Sequence, residues 1–208
     1  MVQHSVTAVE ITTLSAQLQI GDVVFIRVPI RAFKEVATAT MSWVNHVGVV
    51  VAIDGDEPLL AESTFPLSRF TPLSRFVARS EGRRVAVSRL HEPLTVSQQS
   101  QLYVAAHKRL GVLYDTGFNL HSSRQFCSKF VREVLAEVVG LHVGEVESFT
   151  TLLSRNPQAR LGFWRVWYFG RIPWQRETVT PASLLHSTAL KAVFDGRVAW
   201  ASCASAVV

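Results

Sequence analysis

The stretch that begins Gln125-Phe126-Cys127-Ser128 limits what this chain can fold into more than any other. Phe130, Val131, Val134, Leu135 and Val138 recur after it at helical spacing, while Lys129, Arg132, Glu133 and Glu137 fall on the opposite side. Such a helix has one apolar face that another layer must cover. Cys127 stands on that face, just ahead of Phe130 and Val131, at the helix N-terminus. The positive end of the helix dipole favours thiolate over thiol at such a place. Taken alone, a cysteine on an apolar stripe is more often a small buried hydrophobe. A base delivered from elsewhere in the fold would make it a nucleophile.

The covering layer is legible upstream. Ile20-Gly21-Asp22-Val23-Val24-Phe25-Ile26-Arg27-Val28 reads as a turn feeding a strand that Pro29 stops. Residues 31–44 read as a helix ending near Trp43. Asn45 to Ile53 is rich in β-branched residues and reads as a central strand. Asp54-Gly55-Asp56 is a hairpin signal, and Leu59 to Ser63 is the returning strand. Pro66-Leu67-Ser68-Arg69-Phe70 is repeated as Pro72-Leu73-Ser74-Arg75-Phe76, too briefly for a repeat architecture. We read this duplication as a loop crossing the sheet, with Arg69 and Arg75 solvated. Arg84 to Leu90 is a further strand, Thr95-Val96-Ser97 opens a helix reaching Leu110, and Gly111 to Gln125 is an irregular loop. Residues up to Gln19 form a short helix or an irregular lead-in. The expected class is α+β, with an antiparallel sheet packed against the cysteine-bearing helix.

The last third is crowded with Trp164, Trp167, Tyr168, Phe169 and Trp174, followed by the helix-start signature Thr180-Pro181-Ala182-Ser183. No linker splits it off. One domain over residues 1–208 is expected, with a core at about 20–140 and the aromatic-rich part, 155–208, packed on it. The aromatics either pack that core or line an apolar pocket, and core packing is the simpler expectation.

A chain that is 48% hydrophobic and 18% charged is globular rather than disordered. Its net charge of +5 favours anionic ligands or surfaces, but the basic residues are scattered, so no nucleic-acid partner is expected. The longest apolar run, Val47 to Ile53, is too short for a transmembrane segment. Residues 1–20 have no Lys or Arg and no sustained apolar core, so no signal peptide is expected. Cys127 and Cys203 make no disulfide framework, and there is no CxxC pair or metal-ligand spacing. Gly-rich phosphate loops and GxSxG elbows are likewise missing from the sequence. These features predict a cytoplasmic protein with reduced thiols and no bound metal. Oligomeric state leaves no mark in the sequence.

A cysteine hydrolase needs a base, a group that orients the base, and donors for the oxyanion. His46 opens the apolar strand and is followed by Gly48, where backbone can approach closely. His107 falls late in a helix, and His91, His121 and His142 fall in loops, so His46 is the better base. Glu62 returns beside it across the hairpin, although a slip of one residue would put the two on opposite faces. Tyr114, in the loop before Cys127, could donate to an oxyanion together with the Cys127 backbone N–H. Asp115 reads as structural and Cys203 as incidental.

The segment Tyr114-Asp115-Thr116-Gly117, continued by Phe126-Cys127-Ser128-Lys129-Phe130-Val131, resembles the nucleophile segment of NlpC-type cysteine hydrolases of the papain-like superfamily. Here Asn45-His46-Val47-Gly48 precedes the cysteine, whereas most of those enzymes place it after. With the leading Ile20-Gly21-Asp22-Val23-Val24-Phe25, that order resembles the circularly permuted branch, the YebB/YiiX-type papain-like amidases, and is most similar to YebB-like proteins. The resemblance covers about residues 20–140 and extends more loosely to Thr180-Pro181. It implies a permuted papain-like fold, with Cys127 as nucleophile, His46 as base, Glu62 as third polar residue and Tyr114 near the oxyanion. It further implies amide or ester cleavage through a thioester, without a cofactor, on cell-wall-derived peptides or acyl amides. A lipid acyltransferase or thioesterase, or a catalytically silent binding module, are the alternatives. The glycine doublet often found after the tyrosine in that family is reduced here to Gly117.

Overall fold

The computed structural model describes residues 8–200 apart from 56, 157, 158 and 160. Cys203, and the Asp56 end of the hairpin signal, lie outside the described residues. The chain opens with a short strand, β1 (Val9–Glu10), helix α1 (Ile11–Gln17), strand β2 (Val23–Ile26) and helix α2 (Arg31–Ala39). The hairpin β3 (His46–Asp54) and β4 (Glu57–Ser63) follows, then β5 (Ser68–Pro72), α3 (Leu73–Ala78) and β6 (Arg84–Leu90). Next come α4 (Val96–His107) and α5 (Cys127–Val139). The remainder comprises β7 (Val146–Ser148), α6 (Phe149–Arg155), α7 (Leu161–Trp167), β8 (Glu177–Val179), α8 (Pro181–Leu185) and β9 (Leu190–Ala199).

Seven strands form one sheet in the order β1-β9-β6-β2-β3-β4-β5, antiparallel except for the β1–β9 pair. Alternation along the central strands sorts two cores. Val23, Phe25, Val47, Val49 and Ala61 face the layer of α4 and α5, against Leu102, Phe130, Val131 and Val134. Val24, Ile26, Val50, Leu60 and Val87 face Leu14 of α1 and Leu73, Phe76 and Val77 of α3. Burial of each such side chain contributes roughly 1.5–3 kcal/mol, which ties both helical layers to the sheet.

Three sequence expectations are corrected. The helix starting at Arg31 stops at Ala39, well before Trp43. The duplicated segment is not a loop: its first copy contributes Ser68, Arg69 and Phe70 to β5, and the second contributes most of α3. Lys129 is buried rather than solvated, its ammonium folded back onto the carbonyls of Ser122 and Arg124. That ammonium holds the end of the loop preceding α5. The Cys127 helix itself has the expected bounds, and Thr95 and Thr180 start α4 and α8 with capping boxes.

Candidate active site

The clasp that aims the histidine comes first. The Asn45 side chain accepts a hydrogen bond from Val28 N–H at 2.7 Å and donates to Val28 C=O at 3.0 Å. It thus mimics one ladder step between β2 and β3, immediately before His46. By alternation His46 belongs with Val50, on the α3 side of the sheet, whereas Cys127 belongs to the α5 side. They meet at the start of β3, where Phe33 of α2 packs against both cores. Phe33 lies edge-on to the imidazole at 5.9 Å, and Phe76 of α3 covers it at 5.6 Å.

Val49 pairs with Ala61, so continuing that register sets Gly48 across from Glu62. A Cβ on Gly48 would stand 3.0 Å from the Phe76 ring and 3.2 Å from the Ala61 carbonyl oxygen, so the absence of a side chain there leaves room for the ring that covers His46. His46 Nε2 lies 2.5 Å from Glu62 Oε2. The carboxylate is fully buried, and the chain meets its charge with several partners. Thr71 Oγ1 donates to Oε1 at 2.6 Å, and Arg79 Nη2 reaches both oxygens, at 2.8 and 2.7 Å. Arg69 Nε stands 3.7 Å from Oε1. The Arg79 guanidinium also lies over the Phe76 ring, 5.0 Å from its centroid.

These contacts decide the protonation states. Burial alone would raise the Glu62 pKa, but His46 and Arg79 outweigh it and hold the group at about 2. Burial would lower that of His46, but Cys127 and Glu62 raise it to about 9. At neutral pH the pair is therefore imidazolium and carboxylate. His46 Nδ1 has no hydrogen-bond partner among the described residues, which leaves it free for the nearby sulfur of Cys127.

Cys127 is the first residue of α5 and a free, buried thiol. Phe126 precedes it in extended conformation and offers no side-chain cap to the opening amides of the helix. The buried Tyr114 hydroxyl, also without a regular hydrogen bond among the described residues, lies within electrostatic reach of the Cys127 thiol and backbone N–H. Burial first, then the proximity of Cys127, pushes its pKa well above the ordinary range, so it stays a protonated donor.

The loop carrying Tyr114 is held from both sides. Asp115 N–H donates to Gln125 C=O at 2.7 Å, and the Asp115 carboxylate accepts from the N–H groups of Gly117 and Asn119 at 2.8 and 3.2 Å. From outside, Trp167 Nε1 donates to Thr116 C=O at 2.9 Å. The Tyr168 hydroxyl and Arg176 Nη1 donate to Gly117 C=O at 3.1 and 2.9 Å. Among the C-terminal aromatics, Trp164 both packs and lines. Trp164 joins Phe149, Leu152 and Ile172 in a small third core, and the same four side chains wall a narrow cavity that reaches Cys127 and Tyr114.

The structure thus brings Cys127, His46, Glu62 and Tyr114 together. Arg79, Thr71, Asn45 and the two phenylalanines around His46 were not singled out from sequence. They come from α2, β5, the start of β3, and α3 with its C-cap Arg79, and no local spacing ties them to His46 apart from the adjacency of Asn45.

A helix-head thiol beside a buried histidine–carboxylate pair, with the histidine strand ahead of the cysteine helix, defines a papain-like fold in permuted order. Residues 17–194 match the permuted papain-like amidase family, YaeF/YiiX, C92, and the chain belongs to that family. It is 29% identical over 185 residues to the uncharacterized protein YiiX of Escherichia coli (strain K12), covering 89% of this chain and 90% of that protein. The crystal structure of metalloprotein yiiX from Escherichia coli O157:H7 superposes with a TM-score of 0.77 at 26% identity, covering 87% of this chain and 99% of that one. Both relatives carry the YiiX name; the finer likeness to YebB-like proteins rests on the sequence resemblance alone.

Proposed function

We propose that this chain is a thiol hydrolase that cleaves an acyl amide or ester through a thioester on Cys127. One observation carries the reading: His46 is fixed by Glu62 at Nε2 and left without a partner at Nδ1, beside the thiol. With the proton already held on the His46 imidazolium, the Cys127 sulfur attacks the carbonyl carbon. Negative charge then develops on the carbonyl oxygen, between the Tyr114 hydroxyl and the Cys127 backbone N–H. As the C–N or C–O bond breaks, the imidazolium returns its proton to the leaving amine or alcohol. Water attacks the thioester, losing a proton to His46, and the C–S bond breaks to release the acid and restore the thiol.

The cavity beside Cys127 supports an acyl substrate. Its walls are largely aliphatic and aromatic, among them Val36, Leu152, Phe118 and Trp164. An acyl chain loses little on entering, whereas the hydroxyls and carboxylates of a cell-wall peptide would go unpaired there. Hydrolysis and acyl transfer share the thioester and differ only in what attacks it. We take the compartment as cytoplasmic, consistent with a free thiol at the centre. A related protein is titled a metalloprotein, but among the described residues here no three His, Cys, Asp or Glu side chains converge as ligands, so no step is routed through a metal.

The test is iodoacetamide labelling across pH in a Cys203→Ser background, paired with intact-mass detection of an acyl adduct after exposure to a 4-nitrophenyl acyl ester. Labelling of Cys127 should slow about a hundredfold in His46→Ala, and the adduct should vanish in Cys127→Ser. A slow thiol indifferent to His46, with no adduct, would instead make the fold a binding module.

A further inference from the structure

Helix α7 ends in a way that gives its surface residues a second role. Gly170 N–H bonds to Arg165 C=O and Phe169 N–H to Val166 C=O, the two bonds of a Schellman ending. The residue at the left-handed position of that motif is usually glycine. Here it is Phe169, with φ of 51°, and its side chain is 94% exposed. An aromatic ring is thus held in a strained conformation, with almost no packing in return. One turn earlier Val166 is 79% exposed, so the two make a protruding apolar tip. Arg165 and Arg171 flank it, both exposed and without an ion-pair partner among the described residues. The opposite side of the same helix sends Trp164 into the wall of the cavity that reaches Cys127.

We propose that this tip is a docking surface for an anionic lipid membrane, with Phe169 and Val166 entering the interface and Arg165 and Arg171 meeting lipid phosphates. Apolar residues ringed by unpaired cations match the two components of such a surface, and the net charge of +5 reinforces the attraction. A protein partner of core-like chemistry would leave the arginines unanswered, and a nucleic acid would leave Phe169 and Val166 outside the contact. The inference does not depend on the chemistry assigned to Cys127.

The experiment is co-sedimentation of the full chain with vesicles of phosphatidylglycerol and phosphatidylcholine, against vesicles of phosphatidylcholine alone. Binding should require the anionic lipid and weaken with salt. Val166→Asp with Phe169→Asp should lower the partition coefficient about tenfold or more, and Arg165→Gln with Arg171→Gln about fivefold per charge. The rate of Cys127 alkylation in both variants should equal that of the parent, showing that the fold is intact. Failure to bind anionic vesicles, binding that ignores the Asp substitutions, or preferential binding to an RNA homopolymer in competition would each overturn the proposal.

Discussion

Glu62 is wholly buried, and protein groups answer its charge. Its oxygens are met by His46, Thr71 and Arg79. Arg79 is a positioning residue in this arrangement. It keeps the carboxylate ionised and in register, and touches neither the thiol nor the cavity. The pH dependence of turnover follows from the same contacts. Expulsion of an amine needs the proton of the His46 imidazolium, so cleavage of an acyl 4-nitroanilide should fall as pH rises through about 9. Cleavage of the matching nitrophenyl ester, whose leaving group needs no proton, should not. Glu62→Gln removes the charge that helps raise the imidazole pKa, so the alkaline limb should move to lower pH. Arg79→Met should cost about tenfold in kcat, with Arg79→Lys recovering part of it. A purely structural Arg79 would lower the amount of folded enzyme and leave the pH profile of the remainder alone.

At the scale of elements, what was readable was a strong composition or a period. The β-branched run from Asn45 to Ile53 and the helical stripe after Cys127 placed the histidine strand and the cysteine helix, because the first is a strand buried on both faces and the second must bury one. The duplicated segment shows where local reading stops. Two copies of Pro-Leu-Ser-Arg-Phe divide between a strand and a helix, since β4 pairs with the first and the second core takes Leu73 and Phe76 from the second. Strand β9 went unread because only Leu190, Gly196 and Val198 are buried along it, which leaves no clean alternation. The loop from Tyr114 to Gly117 has no period either. Its shape is set by Asp115 within and by Trp167, Tyr168 and Arg176 from far along the chain. A Cβ on Gly117 would stand 3.0 Å from both Arg176 Nη1 and Asp115 Oδ1, so Gly117→Ala should push the loop off those anchors. Because alkylation needs no oxyanion donor, Gly117→Ala should leave iodoacetamide labelling of Cys127 near normal while ester turnover drops about tenfold or more. Equal losses in both assays would remove Tyr114 from the oxyanion site.

For the molecule as a whole, the His46–Glu62–Arg79 chain joins β3, β4 and α3 through the middle of the sheet and its second layer, so its titration reaches global stability. Glu62 is held at about 2 against an ordinary 4.5, and its contribution is present above pH 4.5 and lost as pH falls toward 2. His46 is raised to about 9 from an ordinary 6.5, and its contribution is complete below pH 6.5 and lost as pH rises through 9. The two contributions share the His46–Glu62 interaction, to which Cys127 adds on the histidine and Arg79 on the carboxylate, so that the shared part is worth at most roughly 3 kcal/mol when counted once. Desolvation of both ions offsets part of the gross attraction, yet removing one partner leaves the other buried and unanswered. Urea midpoints should therefore be highest between about pH 4.5 and 6.5 and decline on both sides. Glu62→Gln should lower the maximum by about 3 kcal/mol and make the alkaline decline shallower, leaving the part that Cys127 supplies to the His46 shift. An alkaline decline of unchanged depth in that variant would mean that the imidazolium–carboxylate pair does not set the stability of this fold.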